Sequence, residues 1–196
     1  MFSFFSCTDN PRKNHIYFNK GVTKNDFFIN NFKFKNREAE KLNDSGIQQI
    51  KNGKIRDAEK YFIQAYRLEP DNPVILTNLG NIYSKIGTAK MAIEYYQEAL
   101  VSSDSTYFNA ATNLGRVYCR NDQFEEAKQI LDYIISITKD NKFITIAEYT
   151  LATVYIESKE CNKANDLYLK IKDSFREYKG FQSNLDKLEE DIKNCL

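Results

Sequence analysis

Residues 74–104 read VILTNLGNIYSKIGTAKMAIEYYQEALVSSD, and their apolar pattern indicates two helices joined by a short turn. Apolar side chains recur at three- and four-residue steps on both sides of Gly87, which is the spacing of an amphipathic helix. They are Leu76, Leu79, Ile82, Tyr83, Ala92, Ile93, Tyr96, Ala99 and Leu100. Because glycine readily takes the left-handed conformation that ends a helix, Gly87 is predicted to end the first helix of the pair.

The same pattern recurs along the chain. Asn78-Leu79-Gly80-x-x-Tyr83 aligns with Asn113-Leu114-Gly115-x-x-Tyr118, 35 residues later, and less closely with Thr150-Leu151-Ala152-x-x-Tyr155. An earlier copy contains Ser45-Gly46, Gly53, Ala58 and Phe62. The self-similarity predicts four copies, at about 39–72, 73–107, 108–141 and 145–174, that stack as one array without linkers.

Each copy places small residues opposite a large one. The small positions are Gly46, Gly80, Gly115 and Ala152 with the alanines Ala58, Ala92, Ala127 and Ala164, and the large ones are Phe62, Tyr96, Leu131 and Tyr168. Small side chains let two helix backbones approach closely, and the large ones fill the space beside them.

These residues make the chain resemble the tetratricopeptide repeat (TPR), a helix-turn-helix unit of about 34 residues. The resemblance implies an all-α fold, a right-handed solenoid of antiparallel helix pairs with about four TPR units. The chain departs from the family pattern at Ser45, where Leu is usual, and at Asp122 and Lys159, which replace the turn glycine. A non-glycine residue in the left-handed region costs on the order of 1 kcal/mol. The helices expected to end near Val101, Ile137 and Ile171 also lack a following proline.

A last helix is predicted within residues 175–196. Phe181, Leu185, Leu188 and Ile192 recur at helical spacing among charged residues. One apolar stripe with a polar back suits a helix that caps the open end of a solenoid. The alternative is a detachable helix that binds a partner.

Residues 1–36 do not join the repeat and are expected to form an N-terminal extension. Phe2 to Asn10 resemble the end of a bacterial lipoprotein signal followed by a linker, although the apolar part is short and has no basic start. If the true start lies upstream, Cys7 is the lipidated residue of a protein anchored in the bacterial cell envelope. Otherwise Cys7 is an idle thiol and the protein is cytoplasmic.

Composition argues against catalysis and nucleic-acid binding. The 28 basic and 27 acidic residues leave a net charge of +1, and the basic residues form no dense patch interleaved with aromatic residues. The single histidine, His15, lies in the extension, and the sequence contains no Gly-rich phosphate loop. The four cysteines are far apart and are expected to be free thiols rather than zinc ligands. We therefore expect no enzyme activity, no cofactor and no metal.

The TPR resemblance implies a concave groove lined mainly by the first helix of each pair. The side chains expected to line it are Lys51, Thr77, Asn78, Asn81, Lys85, Asn109, Asn113, Arg116, Arg120 and Tyr149. Asparagine can hydrogen-bond an extended peptide backbone, and the basic groups could pair with its carboxylates. Alternatively, Lys51, Lys85 and Arg120 are solvated charges that interact favourably with helix C-termini.

Two functions remain open from the sequence. The first is a non-catalytic scaffold that binds a protein or peptide, an acidic or polar extended segment, in the groove. The second is a structural or assembly subunit that acts through self-association or its convex face. Chaperone-binding TPR domains hold a terminal carboxylate with two Asn and two or three basic residues. Asn81 and Asn113 match that pattern, but Thr77, Ile146 and Thr150 occupy its basic positions.

Overall fold

The computed structural model describes residues 32–176 and 182–196, and every regular element in these ranges is an α-helix. The helices are α1 (Arg37–Lys51), α2 (Ile55–Leu68), α3 (Pro73–Lys85), α4 (Ala89–Ser102), α5 (Phe108–Arg120), α6 (Phe124–Ile137), α7 (Asn141–Glu157), α8 (Cys161–Arg176) and α9 (Gln182–Cys195). Helix α1 packs on α2, α3 on α4 and α7 on α8. The predicted fold class, an all-α helical-repeat solenoid, is confirmed.

The described residues fall into two compact units, divided after Val117 within α5. The first unit comprises residues 32–117, and the second comprises 118–176 and 182–196.

Asparagine and aspartate side chains start three of the helices. The side chains of Asn36, Asn72 and Asp140 accept hydrogen bonds from backbone N–H groups in the first turns of α1, α3 and α7. Such caps satisfy donors that have no partner inside the helix. Because Asp140 caps α7, this helix begins at Asn141, before the predicted start of the fourth copy at 145.

Close packing in the first unit follows the predicted pairing of small and large residues. A Cβ atom added at Gly46 would lie 2.6 Å from the Phe62 ring, and one added at Gly80 would lie 2.5 Å from the Tyr96 ring. Both rings are almost fully buried. Glycine is therefore required at these two positions for steric reasons rather than for backbone flexibility.

The turns within the helix pairs use the left-handed conformation whether or not glycine is present. Gly53 and Gly87 have φ of 75° and 83°, while Asp122 and Lys159 have φ of 59° and 63°. The two non-glycine residues therefore adopt the backbone that the repeat pattern demands, at an energetic cost.

Helix α9 packs its apolar stripe into the core of the second unit. Leu185, Leu188 and Ile192 are nearly completely buried in one cluster with residues of α7 and α8. Phe181, the first residue of the predicted stripe, lies outside the described residues. Whether α9 detaches to bind a partner remains an open prediction.

The prediction of free thiols is wrong for three cysteines. A disulfide joins Cys161 at the start of α8 to Cys195 at the end of α9, with Cα atoms 5.6 Å apart, and Cys119 is also disulfide-bonded. The spacing of 34 residues gives no hint of this pair. It forms because α9 returns antiparallel along α8 and brings the two ends together. Cys7 lies outside the described residues.

Candidate functional site

Most of the predicted groove residues lie in the first unit, and two lie in the second. Those in the first unit are Lys51, Thr77, Asn78, Asn81, Lys85, Asn109, Asn113 and Arg116, and those in the second are Arg120 and Tyr149. We call the sides of α1, α3 and α5 that carry Asn43, Thr77, Asn78, Asn81, Asn109 and Asn113 the Asn face. The Asn face lies entirely within the first unit.

Carboxamide groups connect successive first helices across the Asn face. Asn78 Nδ2 on α3 donates to Asn43 Oδ1 on α1 at 2.8 Å, and both side chains are buried. Asn113 Nδ2 on α5 donates to Asn81 Oδ1 on α3 at 2.9 Å. Each bond joins two copies of the repeat, although the two accepting asparagines stand at different repeat positions, since Ile47 matches Asn81.

The second of these bonds belongs to a longer chain of hydrogen bonds. Arg116 donates from Nη1 to Asn113 Oδ1 at 3.0 Å. The hydroxyl of Tyr96 on α4 donates to Asn81 Oδ1 at 2.7 Å. Asn81 Oδ1 therefore accepts two bonds, whereas no described side chain or backbone group accepts from Asn81 Nδ2. Because Asn81 is partly exposed, Nδ2 is a donor that a ligand can reach.

Two further polar atoms of the Asn face are buried without a partner. In the described part of the chain, neither Thr77 Oγ1 nor Asn109 Nδ2 makes a hydrogen bond, and both atoms are inaccessible to solvent. They lie four residues before Asn81 and Asn113, one turn earlier on the same helix faces. Buried polar groups in folded proteins are nearly always hydrogen-bonded, so this pair requires an explanation.

The basic residues differ in their surroundings. Arg116 is only 3% exposed and bonds to Asn113, so it supports the Asn face rather than presenting a free charge. Burial lowers the pKa of Lys85, which lies in the last turn of α3. Lys51 is exposed in the last turn of α1, where a positive charge favours the helix dipole. Arg120, the last residue of α5, belongs to the second unit.

Tyr149 lies in the hydrophobic core of the second unit. Its ring is 3% exposed and packs in the same cluster as Ile156, Tyr168 and the α9 leucines. A tyrosine in this core contributes to stability, and its placement offers no surface for a ligand side chain.

The hydrogen bond of the Tyr96 hydroxyl to Asn81 is a feature of the Asn face that the sequence interpretation missed, because it treated this residue only as a packing residue. A signal was present. In the preceding copy the matching aromatic residue is Phe62, and the residue that matches Asn81 is the apolar Ile47. The hydroxyl thus occurs where a carboxamide is available to accept from it.

Other chemistry finds little support among the described residues. No group of three or more His, Cys, Asp or Glu side chains in these ranges could hold a metal ion. The helices in the same ranges include none that is long and apolar enough to span a membrane.

Comparison with known families supports the repeat assignment. The tetratricopeptide-repeat family model matches residues 74–100, which span α3 and most of α4. A PPR-repeat model matches residues 111–137, from α5 to the end of α6. Both models thus match one helix pair each.

Individual relatives share the same architecture. The anaphase-promoting complex subunit CDC16 of Saccharomyces cerevisiae is 28% identical over 136 residues, which cover 64% of this chain but only 16% of CDC16. The crystal structure of the APC/C hetero-tetramer Cut9-Hcn1 superposes with a TM-score of 0.67 and 21% identity, over 81% of this chain and 30% of that one. The chain thus spans a small part of these larger proteins.

A smaller structure matches over most of its own length. The first TPR domain of Spaghetti (RPAP3), bound to the HSP90 peptide SRMEEVD, has a TM-score of 0.54 and 23% identity, and the match covers 60% of this chain and 90% of that domain. This likeness concerns the fold. Together with the internal repeats, the paired helices and the repeat model that matches residues 74–100, it leads to one conclusion: the chain contains tetratricopeptide-like helix pairs within an all-α helical-repeat solenoid.

Proposed function

We propose that the chain is a non-catalytic protein-interaction scaffold that binds an extended peptide segment against the Asn face. The observation that carries this proposal is the accessible donor Asn81 Nδ2, from which no described group accepts a hydrogen bond. Thr77 Oγ1 and Asn109 Nδ2 also lack partners, but they are inaccessible to solvent, so a ligand docked on the face does not reach them. A ligand oxygen that accepts from Asn81 Nδ2 forms a hydrogen bond worth about 0.5–1.5 kcal/mol.

An extended peptide has the chemistry to do so. Its backbone offers carbonyl acceptors along one edge, which suits the outward amide donor of Asn81. Lys51 and Lys85, near the ends of α1 and α3, favour an acidic or polar segment. The peptide complex of the RPAP3 domain shows that a similar fold binds a peptide.

The test compares two isosteric variants of the full chain. Peptides are selected from a phage-displayed random library, synthesised with a fluorescein label and titrated by fluorescence anisotropy. Asn81→Asp keeps the Oδ1 acceptor but removes the outward donor, and Thr77→Val removes only the buried, unpartnered hydroxyl. We expect Asn81→Asp to weaken binding by about tenfold, the worth of one hydrogen bond, and Thr77→Val to leave affinity unchanged.

Stability separates a ligand-binding role from a structural one. Thr77→Val should leave the free energy of unfolding unchanged or raise it, because it removes an unsatisfied group. The matched control is Thr112→Val, whose hydroxyl is already bonded to the Phe108 carbonyl oxygen at 2.8 Å. It should leave peptide affinity unchanged. Failure to select any peptide, or equal affinity for all variants, would contradict the proposal.

The predicted absence of nucleic-acid binding is checked in the same assay. A fluorescein-labelled random single-stranded RNA serves as the probe, since a PPR-repeat model matches α5 and α6 and such repeats can read RNA bases. We expect no binding at physiological salt.

A structural or assembly role is the second candidate. Similarity to CDC16 and to the Cut9-Hcn1 hetero-tetramer favours it, because both comparisons name components of a multi-subunit complex. Analytical ultracentrifugation of the full chain tests self-association. A concentration-dependent dimer would favour this role, and a monomer at all concentrations would count against self-association.

The location of the protein also remains a proposal. Disulfides persist mainly in oxidising compartments, so the Cys161–Cys195 bond favours an envelope protein over a cytoplasmic one. Lipid attachment at Cys7 would also fit that location, but a thioether-linked lipid requires a Cys7 sulfur that is not paired with Cys119. Metabolic labelling with an alkyne fatty acid, compared between the parent and Cys7→Ser, tests it. Loss of label in the variant supports the anchor, and an unlabelled parent contradicts it.

A further inference from the structure

We infer that Arg116 and Tyr96 are positioning residues that fix the hydrogen-bonding polarity of Asn81, so that the Asn face offers a donor and selects a ligand acceptor. This inference rests on the proposed function for its consequence in binding. The orientation of the Asn81 carboxamide itself, however, can be tested without any ligand.

Arg116 sets the direction of the hydrogen-bond chain. A guanidinium group only donates, so the Asn113 atom facing Arg116 Nη1 must be Oδ1. Asn113 Nδ2 then faces Asn81, and the Asn81 atom that receives it must be Oδ1. The outward atom of Asn81 is consequently Nδ2. The guanidinium group of Arg116 thus determines, through Asn113, which atom of the Asn81 carboxamide faces outward.

Tyr96 holds Asn81 Oδ1 in place. Its hydroxyl donates to the second lone pair of Asn81 Oδ1, and turning the carboxamide over would set Nδ2 against Asn113 Nδ2 and force the Tyr96 hydroxyl to accept instead of donate. The ring itself cannot shift easily, because it is 1% exposed and packs against the backbone at Gly80. Charge-assisted and chained hydrogen bonds also strengthen one another in a buried environment.

The preceding copy of the repeat has no counterpart of the Arg116 cation or of the Tyr96 hydroxyl, and it therefore provides an internal comparison. Asn78 donates to Asn43 there, but the residue matching Arg116 is Asn81, and Phe62 has no hydroxyl. The Asn43–Asn78 pair therefore contains no cation that imposes a direction. Polarity is enforced only between α3 and α5.

The polarity restricts the ligand. A backbone carbonyl or a carboxylate oxygen can accept from Asn81 Nδ2, whereas a peptide N–H or a lysine ammonium group meets another donor. Arg116 thus acts on specificity through Asn113 and Asn81, without touching the ligand.

The test uses NMR of the side-chain amides in the 15N-labelled full chain. In the parent, the Asn113 amide protons should exchange with solvent at least about tenfold more slowly than those of Asn81, because only the former are bonded within the protein. Arg116→Gln replaces an obligate donor with an amide that can also accept, so it should give two sets of Asn81 and Asn113 signals. Tyr96→Phe should reduce the difference in exchange. The Asn43 and Asn78 signals should not change in either variant.

The outcomes are distinguishable. The inference would be overturned if, in the parent, the Asn81 side-chain amide protons exchanged with solvent more slowly than those of Asn113. It would also be overturned if both variants left the amide signals unchanged. Arg116 makes further contacts and could be needed for folding, so Tyr96→Phe, which keeps the packed ring, is the second variant. If Asn81→Asp abolishes peptide binding while Arg116→Gln and Tyr96→Phe leave affinity unchanged, the inference fails and the proposed function stands. If the polarity is found but no peptide binds, the proposed function fails.

Discussion

Gly80 and Tyr96 show how single residues support both packing and the site. The missing Cβ of Gly80 lets the Tyr96 ring lie against α3, and that placement brings the Tyr96 hydroxyl to Asn81. A change at either residue therefore affects the core and the Asn face together.

Gly80→Ala should destabilise the protein by up to about 2 kcal/mol. The overpacking cost of roughly 1–3 kcal/mol is offset in part by the gain of about 1 kcal/mol in helix propensity. Urea unfolding monitored by circular dichroism measures the difference. In a Tyr96→Leu background the same change should become neutral or stabilising, because the ring that blocks the Cβ is gone. An equal loss in both backgrounds would show that the ring is not the cause.

Lys159→Gly should raise the free energy of unfolding by about 1 kcal/mol. Lys159 holds φ at 63°, a conformation that is costly for a residue with a Cβ atom and free for glycine. Asp122→Gly is the matched comparison at φ 59° and should gain less, since aspartate tolerates this region better. Thermal unfolding of both variants provides the measurement. A destabilising Lys159→Gly would contradict the argument from backbone strain.

At the scale of elements, α9 is held to the second unit by its apolar stripe and by one covalent bond. Cys161→Ser removes that bond without opening the buried cluster, because both cysteines are only partly buried at its edge. We expect a loss of about 2–4 kcal/mol, the usual contribution of a disulfide. Hydrogen exchange should accelerate most in α9. Uniform acceleration across α1 to α4 instead would contradict a local effect.

A charge network joins α6 to the start of α8. Glu160 accepts from Lys128, from Lys163 at 2.6 Å and from the Ser158 hydroxyl at 2.9 Å. These bonds, that from Lys128 first, lower the pKa of Glu160 from 4.5 to about 2.

The network predicts a pH dependence with a definite sign. Because the folded pKa of Glu160 lies below the unfolded value, its contribution is complete above about pH 4.5 and is lost as the pH falls towards 2. The stability difference between parent and Glu160→Gln should therefore be constant from pH 7 to 5 and shrink below 4.5. Urea unfolding across this range measures it. Glu125→Gln, at a side chain that is 76% exposed, is the control and should show a much weaker effect. A difference that grows on acidification would contradict the assignment.

At the scale of the whole molecule, the balanced charge predicts that peptides associate with the chain slowly and at a rate that depends little on salt. With a net charge of +1 the chain has no strong overall field to steer a ligand. We expect the selected peptides to bind with association rate constants of about 10⁵–10⁶ M⁻¹s⁻¹, changing less than about threefold between 50 and 500 mM NaCl. Stopped-flow fluorescence tests this. A steep salt dependence would show that local basic residues, not hydrogen-bond donors, dominate recognition.

The fold was largely predictable because its information is local. Gly46, Gly80 and their aromatic partners lie within one repeat, so their spacing reports the contact directly. The turn conformation at Asp122 and Lys159 followed from the register of the repeat, even though neither is glycine. The placement of Asn81 and Asn113 on one face of the first helices was predictable for the same reason.

Other features depend on distances between helices and could not be read from spacing. The burial of Tyr149 depends on where α9 docks, and the Cys161–Cys195 bond depends on its direction. The burial of Arg116 was equally hidden, since a basic residue on a predicted groove face is ordinarily solvated.

The order of residues therefore specified the repeat, its helix pairs and the faces that carry asparagine, because helix periodicity and packing within a repeat act over about 35 residues. Tertiary structure alone decided which carboxamide bonds to which, that Asn81 presents its donor, and that two cysteines meet. These outcomes depend on side-chain distances set by the packing of separate helices, and a periodic sequence pattern does not encode them.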